Sequence, residues 1–288
     1  MTIANMATKT KVNILGAGNV GSALALCLAN RNYSVALISR DKDQAVNRFS
    51  KALVATGLKH PPSLTIRDYP VSFEQTDLVL LCVPDSAIES TCASIAEKLC
   101  GKEVVAHCSG ALDSSVLSSA KKRGCLTASA HPFNTFPNLN TSLATLADGH
   151  NSYLYCEGDE AALSMILNIF KQVGFTTKVI EAKSKILYHA ACVFASNYLT
   201  VLMDMSLQTA QAANIDQREF FTACQPIIKA TLANLDTQPA EIALSGPLAR
   251  GDMATVNQHI KALSSEAPEL AKAYQVFADY AAAMLART

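Results

Sequence analysis

One hexapeptide constrains this chain more than any other feature. Gly16-Ala17-Gly18-Asn19-Val20-Gly21 has the spacing G-x-G-x-x-G. It stands between a short β-branched run, Lys11 to Leu15, and an Ala- and Leu-rich run, Val20 to Ala29. The first run reads as a buried strand and the second as a helix. In that setting Gly16 permits the tight turn, Gly18 lets the backbone approach a pyrophosphate, and Gly21 lets helix and strand pack closely. The helix N-terminus then offers free N–H groups and a partial positive charge to phosphate. A dinucleotide is the ligand such a loop implies, with Gly16, Gly18, Asn19, Val20 and Gly21 as its contacts. A glycine-rich turn without a ligand is the alternative, and the strand–loop–helix setting speaks against it.

The rest of the N-terminal part continues the alternation. Strands are expected at Tyr33–Ser39, Leu64–Arg67, Asp77–Val83, Val104–Cys108, Leu126–Ala130, Tyr153–Cys156 and Thr176–Ile180. Helices are expected at Asp41–Thr56, Asp85–Leu99, Ser114–Arg123 and Ala161–Val173, with Gly124 and Gly174 as stop signals. Strand and helix in turn over about 180 residues mean a doubly wound, mostly parallel sheet of the Rossmann kind. Beyond Glu181 no strand signal appears. Ser184–Ala213, Gln217–Leu235, Met253–Ser264 and Pro268–Leu285 read as helices. The expected organisation is therefore α/β followed by an all-α C-terminal domain, 1–180 and 181–288.

The end of the second strand bears on the choice of cofactor. An acidic residue there would bond a ribose 2′-hydroxyl, as NAD requires. This strand ends Leu37-Ile38-Ser39-Arg40. A hydroxyl and a planar guanidinium suit a 2′-phosphate, so Ser39 and Arg40 point to NADP. Asp41 follows at once, and its expected role is to cap the next helix.

In open α/β sheets ligands bind beyond the carboxyl ends of the strands. Three segments lie there: Cys82-Val83-Pro84-Asp85, His107-Cys108-Ser109-Gly110 and Ala130-His131-Pro132-Phe133. Val83 and Pro84 are expected beside the nicotinamide or its ribose, and Ser109 and His131 beside substrate. His107 reads as a buried strand histidine. At the start of the helical part Lys185, His189, Cys192 and Ser196 recur at i, i+4, i+7 and i+11, one helix face, with Asn197 beside it. A polar stripe in an apolar helix must meet a cavity, a partner or water. On that stripe Lys185 is a candidate proton donor, its pKa lowered by desolvation, or else a first-turn surface lysine. In Ser245–Asp252 Arg250 either clamps an anionic substrate group or pairs with Asp252, a natural N-cap.

Composition excludes several function classes. Lys plus Arg and Asp plus Glu are 24 each, so nothing electrostatic draws the chain to nucleic acid or an anionic membrane. Nine cysteines without a C-x-x-C pair or zinc spacing fit a reducing cytoplasm and no metal site. Met1 to Thr10 lacks the apolar core of a signal peptide. The apolar run Ile186–Met203 carries His189 and Asn197, with Asp204 next, which disfavours a membrane span.

These motifs together resemble the 6-phosphogluconate-dehydrogenase-like superfamily, which includes ketopantoate reductase, pyrroline-5-carboxylate reductase, prephenate dehydrogenase and the 3-hydroxyacid dehydrogenases. The segments HCSGAL (107–112), SAHPFNTF (129–136), KILYHAACVFASNYL (185–199) and SGPLARGD (245–252) are similar to one branch of it. That branch consists of Rossmann-like proteins with a C-terminal domain of unknown function, labelled NADP- or deazaflavin-dependent oxidoreductases. The resemblance covers nearly the whole chain. It implies hydride transfer to or from a small carbonyl, imine or hydroxy acid near His131, Lys185 and His189, with Ser109, Asn197 and Arg250 on the substrate. It also implies a homodimer packed through the long apolar helix. The chain departs from the 3-hydroxyacid dehydrogenases at Tyr188 and His189, where they carry an Asn pair, and at Glu181–Ser184, where they are glycine-rich. A deazaflavin:NADP oxidoreductase and a non-enzymatic NADP-bound sensor or scaffold are the alternatives.

Overall fold

Near-continuous apolar segments are what a sheet covered on both faces demands, and here they form its centre. The computed structural model describes residues 10–69, 72–147 and 152–287. Residues 1–9, on which the reading of the N-terminus as free of a signal peptide rests, lie outside them. In chain order the first part contains β1 (Lys11–Leu15), α1 (Asn19–Asn30), β2 (Ser34–Ser39), α2 (Lys42–Thr56), β3 (Leu64–Asp68), β4 (Leu78–Leu81), α3 (Asp85–Ala96) and β5 (Val104–His107). A 3₁₀ turn at Ser114–Leu117 runs into α4 (Ser118–Lys122). Then come β6 (Leu126–Phe133), α5 (Leu139–Leu146), β7 (Tyr153–Gly158), α6 (Glu160–Gln172) and β8 (Thr176–Val179).

The strands form one sheet in the order β3-β2-β1-β4-β5-β6-β7-β8. The first six are parallel and in the doubly wound order, so the chain reverses its winding between β1 and β4. All residues of β4 and β5 are buried. So is the run Gly21–Ala29 of α1, which explains why that helix is apolar all round. Asp41 caps α2 as expected, its carboxylate accepting from Gln44 N at 2.8 Å.

Two features depart from the expected pattern. β7 pairs antiparallel with β6, from Ala128↔Gly158 to Phe133↔Tyr153, before β8 resumes the parallel sense on β7. The connection between β6 and β7 holds α5, a helix absent from the sequence reading. It is too short to span the sheet, and it packs on α1 and α2 instead. The chain therefore comes back alongside β6. The start signal of α5 is Asn138, whose side chain accepts from Thr141 N.

The C-terminal part holds a 3₁₀ turn at Ala182–Ser184, α7 (Lys185–Ala195), α8 (Asn197–Ala212), α9 (Gln217–Thr237), α10 (Ala240–Ala243), α11 (Met253–Glu266) and α12 (Pro268–Leu285). The long helix expected over 184–213 is broken at Ser196, where φ is −126° and ψ is −67°. The chain divides into two compact units, Met1–Val193 and Phe194–Thr288, rather than at 180/181. Most of α7 goes with the sheet because Lys185 at its start is buried there and bonded to the sheet's own loops. The stretch Ala182–Ala212 is long and apolar enough, by length and composition, to cross a membrane. The break at Ser196 and the sheet-bound Lys185 argue for a different use of it.

The second unit has almost no interior of its own. Its buried apolar residues are Ala210, Val256, Ala271, Ala278 and Ala281. A groove of about 850 Å³ opens within it, lined by Leu202, Ile215, Phe220, Leu263, Leu270 and Phe277 among others.

Candidate active site

The glycine loop joins β1 to α1 at the carboxyl edge of the sheet. Gly16 has φ +110°, and a Cβ there would lie 2.3 Å from the Cys82 carbonyl oxygen, so only glycine fits. At Gly18 a Cβ would meet nothing within 4 Å. The space above it is open, where a pyrophosphate would come closest. Gly18 also stands at the N-cap of α1 without a capping side chain, and the first turn holds no acidic residue. The amides of Asn19, Val20 and Gly21 thus face forward without intrahelical acceptors, ready for an anion. These residues fit a dinucleotide phosphate.

A cleft of about 510 Å³ runs from this loop along the ends of β2 and β4. Ser39, Arg40, Val83 and Pro84 line it, together with Gln44 and Arg48, which the sequence reading left out. The Ser39 hydroxyl donates to the Asp41 carbonyl at 2.8 Å and shapes the turn that presents exposed Arg40. The Asp41 carboxylate caps α2 through Oδ1 and also lines the cleft. Arg48, one turn beyond Gln44, reaches back over the glycine loop. Its Nη1 donates to the Ala17 carbonyl at 3.3 Å and its Nη2 donates to Asn19 Oδ1. The other end of the same carboxamide, Asn19 Nδ2, donates to the Phe136 carbonyl at 2.9 Å. Asn19 thus contributes its backbone to the loop while its side chain bridges α2 and the segment that follows β6.

Next along the edge, the thiols of Cys82 and Cys108 lie 3.5 Å apart at the ends of β4 and β5. Ser109 is buried. Its hydroxyl donates to Asp85 Oδ2 at 2.8 Å and accepts from the amides of Ala111 and Leu112 at 3.1 and 3.0 Å. These bonds fix the turn after β5 and commit the Ser109 hydroxyl proton to Asp85. His107 is fully buried, donating from Nε2 to the Asp113 carbonyl and accepting at Nδ1 from Ser109 N. Burial holds its pKa down at about 4. It is the structural histidine its strand position suggested.

Lys185 lies beneath this turn. It is 1% exposed, its Nζ donating to the Ser109 carbonyl at 2.9 Å and to Ser129 Oγ. Burial lowers its pKa, as its desolvation implied, while Glu157 is the largest influence pulling it up. Burial also raises the pKa of Glu157, whose carboxylate accepts from the amide and hydroxyl of Ser114. Lys185 is thus a buried peg under the strand ends rather than a first-turn surface lysine.

Two histidines stand above this peg. A Cβ on buried Gly110 would lie 2.5 Å from His189 Nδ1 and 3.0 Å from His131 Nε2, so both ring nitrogens converge on the glycine's bare face. The rings meet edge to face, centroids 6.0 Å apart. His189 Nδ1 is buried and has no hydrogen-bond partner. His131 Nδ1 lies 2.7 Å from the Tyr188 hydroxyl. Burial first, then the Lys185 charge, holds the His131 pKa down at about 4, so the ring is neutral near pH 7. Burial raises the Tyr188 pKa, which keeps the phenol protonated and able to donate to Nδ1. In that tautomer the one ring proton of His131 is on Nε2, facing Gly110. Tyr188, Tyr155 and Phe133 wall this corner with ring contacts of 4.6 to 6.4 Å. Neither Gly110 nor Tyr188 was singled out in the sequence as a member of the site.

The polar stripe of α7 is real and faces inward, whereas Ile186, Leu187 and Phe194 are 63%, 75% and 70% exposed. That helix is amphipathic in the inverted sense. Asn197 and Arg250 belong to the second unit, where both are exposed. Asp252 caps α11, accepting from the amide and hydroxyl of Thr255 at 3.1 and 2.7 Å. No cluster of three or more metal-ligating side chains occurs among the described residues.

Comparison with known proteins agrees with this layout. Residues 3–132 match the model of the Rossmann-like domain, and residues 152–281 match a domain of unknown function, DUF2520. The chain combines the two in that order. A glycerol-3-phosphate dehydrogenase [NAD(P)+] of Pseudomonas syringae is 32% identical over 110 residues, 36% of this chain and 32% of that protein. The match thus spans about a third of that curated relative's length. A Thermotoga maritima protein of known structure is 25% identical, with a TM-score of 0.68 over 96% of this chain and 97% of that one. A reductive aminase from Aspergillus terreus, in complex with NADPH and ethyl-5-oxohexanoate, has the same fold. It is 12% identical, with a TM-score of 0.68 over 95% of this chain and 94% of that one.

Proposed function

We propose that this protein is an NADP(H)-dependent oxidoreductase acting on a small carbonyl, imine or hydroxy acid. The observation that carries the reading is the convergence of His131 Nε2 and His189 Nδ1 on Gly110, two strands along the same carboxyl edge from the open face of Gly18. A bound nicotinamide would supply or accept the hydride. The glycine loop and α1 amides would hold its pyrophosphate, Arg40 its 2′-phosphate, and Val83 and Pro84 the side facing the reaction. NADPH in the fungal reductive aminase of the same fold supports that cofactor.

Neutral His131 donates from Nε2 to a carbonyl oxygen or imine nitrogen and stabilises the charge that develops there. It acts as a polarising donor, since giving up its only proton would leave an imidazolate. As hydride leaves a hydroxyl or amine substrate, His189 Nδ1, unpartnered beside it, accepts the proton from the same substrate atom, and the imidazolium so formed returns it in the reverse direction. Lys185 is a positioning residue that fixes the turns carrying Ser109 and Ser129. Arg250 and Asn197, exposed in the second unit, are kept as candidate ligands of an anionic or polar substrate group. The exposed apolar faces of α7 and of the second unit support a homodimer, and nine free cysteines support a reducing cytoplasm.

The test is a thermal-shift comparison of NADPH with NADH, followed by NADPH oxidation against a panel of 2-oxo acids, aldehydes and cyclic imines. Stabilisation by NADPH and turnover of one class is expected. NADPH binding with no turnover on any class would leave a sensor, and no binding at all would remove the reading.

A further inference from the structure

Arg48 has no part in the G-x-G-x-x-G motif or in the end of β2. It sits in the second turn of α2 with its guanidinium over the glycine loop, on Ala17 and Asn19. Five N–H donors surround a guanidinium. Two are used on the loop, which leaves three for a ligand. Arg48 shares its cleft with Arg40 and with Ser39, so two guanidinium groups line the adenosine end of the space. Against them the lining holds one carboxylate, Asp41, one oxygen of which caps α2. In a chain with as many acids as bases overall, this is a local excess of positive charge.

Its use follows from the loop it touches. The pyrophosphate already has a complete set of donors in the amides of the first turn of α1. What it cannot supply is charge for a second, separate phosphate. Ala17 lies on the β2 side of the loop's open glycine, where a ribose would rest between the loop and Arg40. We propose that Arg48 is a second ligand of the cofactor's ribose 2′-phosphate, closing on it from α2 while Arg40 holds it from the end of β2. The inference rests on the NADP reading above and adds a residue that motif and strand end do not contain. Arg48 reads the phosphate as a fork anchored at its root to Ala17 and Asn19, which fixes the plane of the guanidinium before the ligand arrives.

The experiment uses the full chain and two small probes, adenosine 2′,5′-bisphosphate and 5′-AMP, measured by isothermal titration calorimetry. They differ only in the 2′-phosphate. The wild type should bind the bisphosphate much more tightly, and a wild type that does not distinguish them refutes the NADP reading itself. Arg48→Met should weaken the bisphosphate about 10- to 100-fold, the range for one charge-assisted pair, and leave 5′-AMP within about twofold. Equal weakening of both probes would assign Arg48 to the 5′-phosphate and overturn the proposal. No change in either, with a lower unliganded melting temperature, would make it a loop strut and also overturn it. If Arg48→Met folds poorly, Arg48→Lys keeps the charge and loses the fork. On it the ratio of the two affinities should still fall, and an unchanged ratio counts against the proposal.

Discussion

Lowering the pH from 7 to 5 should destabilise this protein through two particular histidines. His107 and His131 both have pKa values held at about 4 by burial, against 6.5 for an unfolded chain. Above pH 6.5 neither state carries the proton and the full stability is present. As pH falls from 6.5 toward 4 the unfolded chain takes up protons that the folded one refuses, so stability is lost across that window. Each histidine accounts for about 2 kcal/mol by pH 5 and about 3 kcal/mol in total, at roughly 1.4 kcal/mol per pKa unit. The pair together approach the net stability of an ordinary domain, about 5–15 kcal/mol. Asp113 and Asp159, whose pKa values are lowered by hydrogen bonds, have the same sign but act only as pH falls through the carboxylate range. Between pH 6.5 and 5 the two histidines are opposed by Glu157, whose raised pKa lets the folded state take up a proton first and so offsets part of their loss. Urea unfolding followed by circular dichroism from pH 7.5 to 4.5 reads the slope, and His131→Gln should remove about half of it. A free energy that stays flat from pH 7 to 5, or a His131 imidazole signal titrating near 6.5, would refute the argument.

Two substitutions probe the corner above Lys185. Gly110→Ala meets no backbone strain, but its methyl would stand 2.5 Å from His189 Nδ1, so a ring must move by about 1 Å. Turnover of the substrate found above should drop on the order of 100-fold with NADPH affinity unchanged, and wild-type turnover would show that the two rings do not define the reacting point. Lys185→Met keeps the stem, leaves the Ser129 hydroxyl without its donor and leaves the Ser109 carbonyl only the Ser129 hydroxyl at 3.3 Å, at a cost of about 1–3 kcal/mol in urea unfolding. The charge that helps depress the His131 pKa goes with it, so that pKa, followed by NMR, should rise. A pKa that stays put would break the link between the peg and the ring.

Strands and caps were legible because their signals are local. Asp77–Val83 and Val104–Cys108 read as buried strands from their apolar runs, and the structure trims them to Leu78–Leu81 and Val104–His107, while Asp41 and Asp252 read as caps from position alone. The reversal of β7 was not legible, since strand direction depends on how far a connection reaches, and α5 is eight residues packed sideways on α1. The same divide runs through the site. The inward stripe of α7 followed from spacing, but spacing cannot tell a peg from an acid. The partners of Lys185 and Ser109, Ser129 and Asp85, come from other strand ends, which no local pattern shows. Gly110 and Arg48 gave no local signal. One matters for the side chain it lacks, and the other is an ordinary polar residue on an exposed helix face.

The Asn19 carboxamide has a consequence for how two ligands bind. One end receives Arg48 and the other holds the Phe136 carbonyl, three residues after Phe133 in the segment that leads out of His131. Whatever ligand draws on Arg48 also pulls on the segment that shapes the far end of the site. Free energy exchanged across such a bridge is reciprocal: a filled nucleotide cleft changes affinity for the second ligand by the same factor as the second ligand changes affinity for the nucleotide.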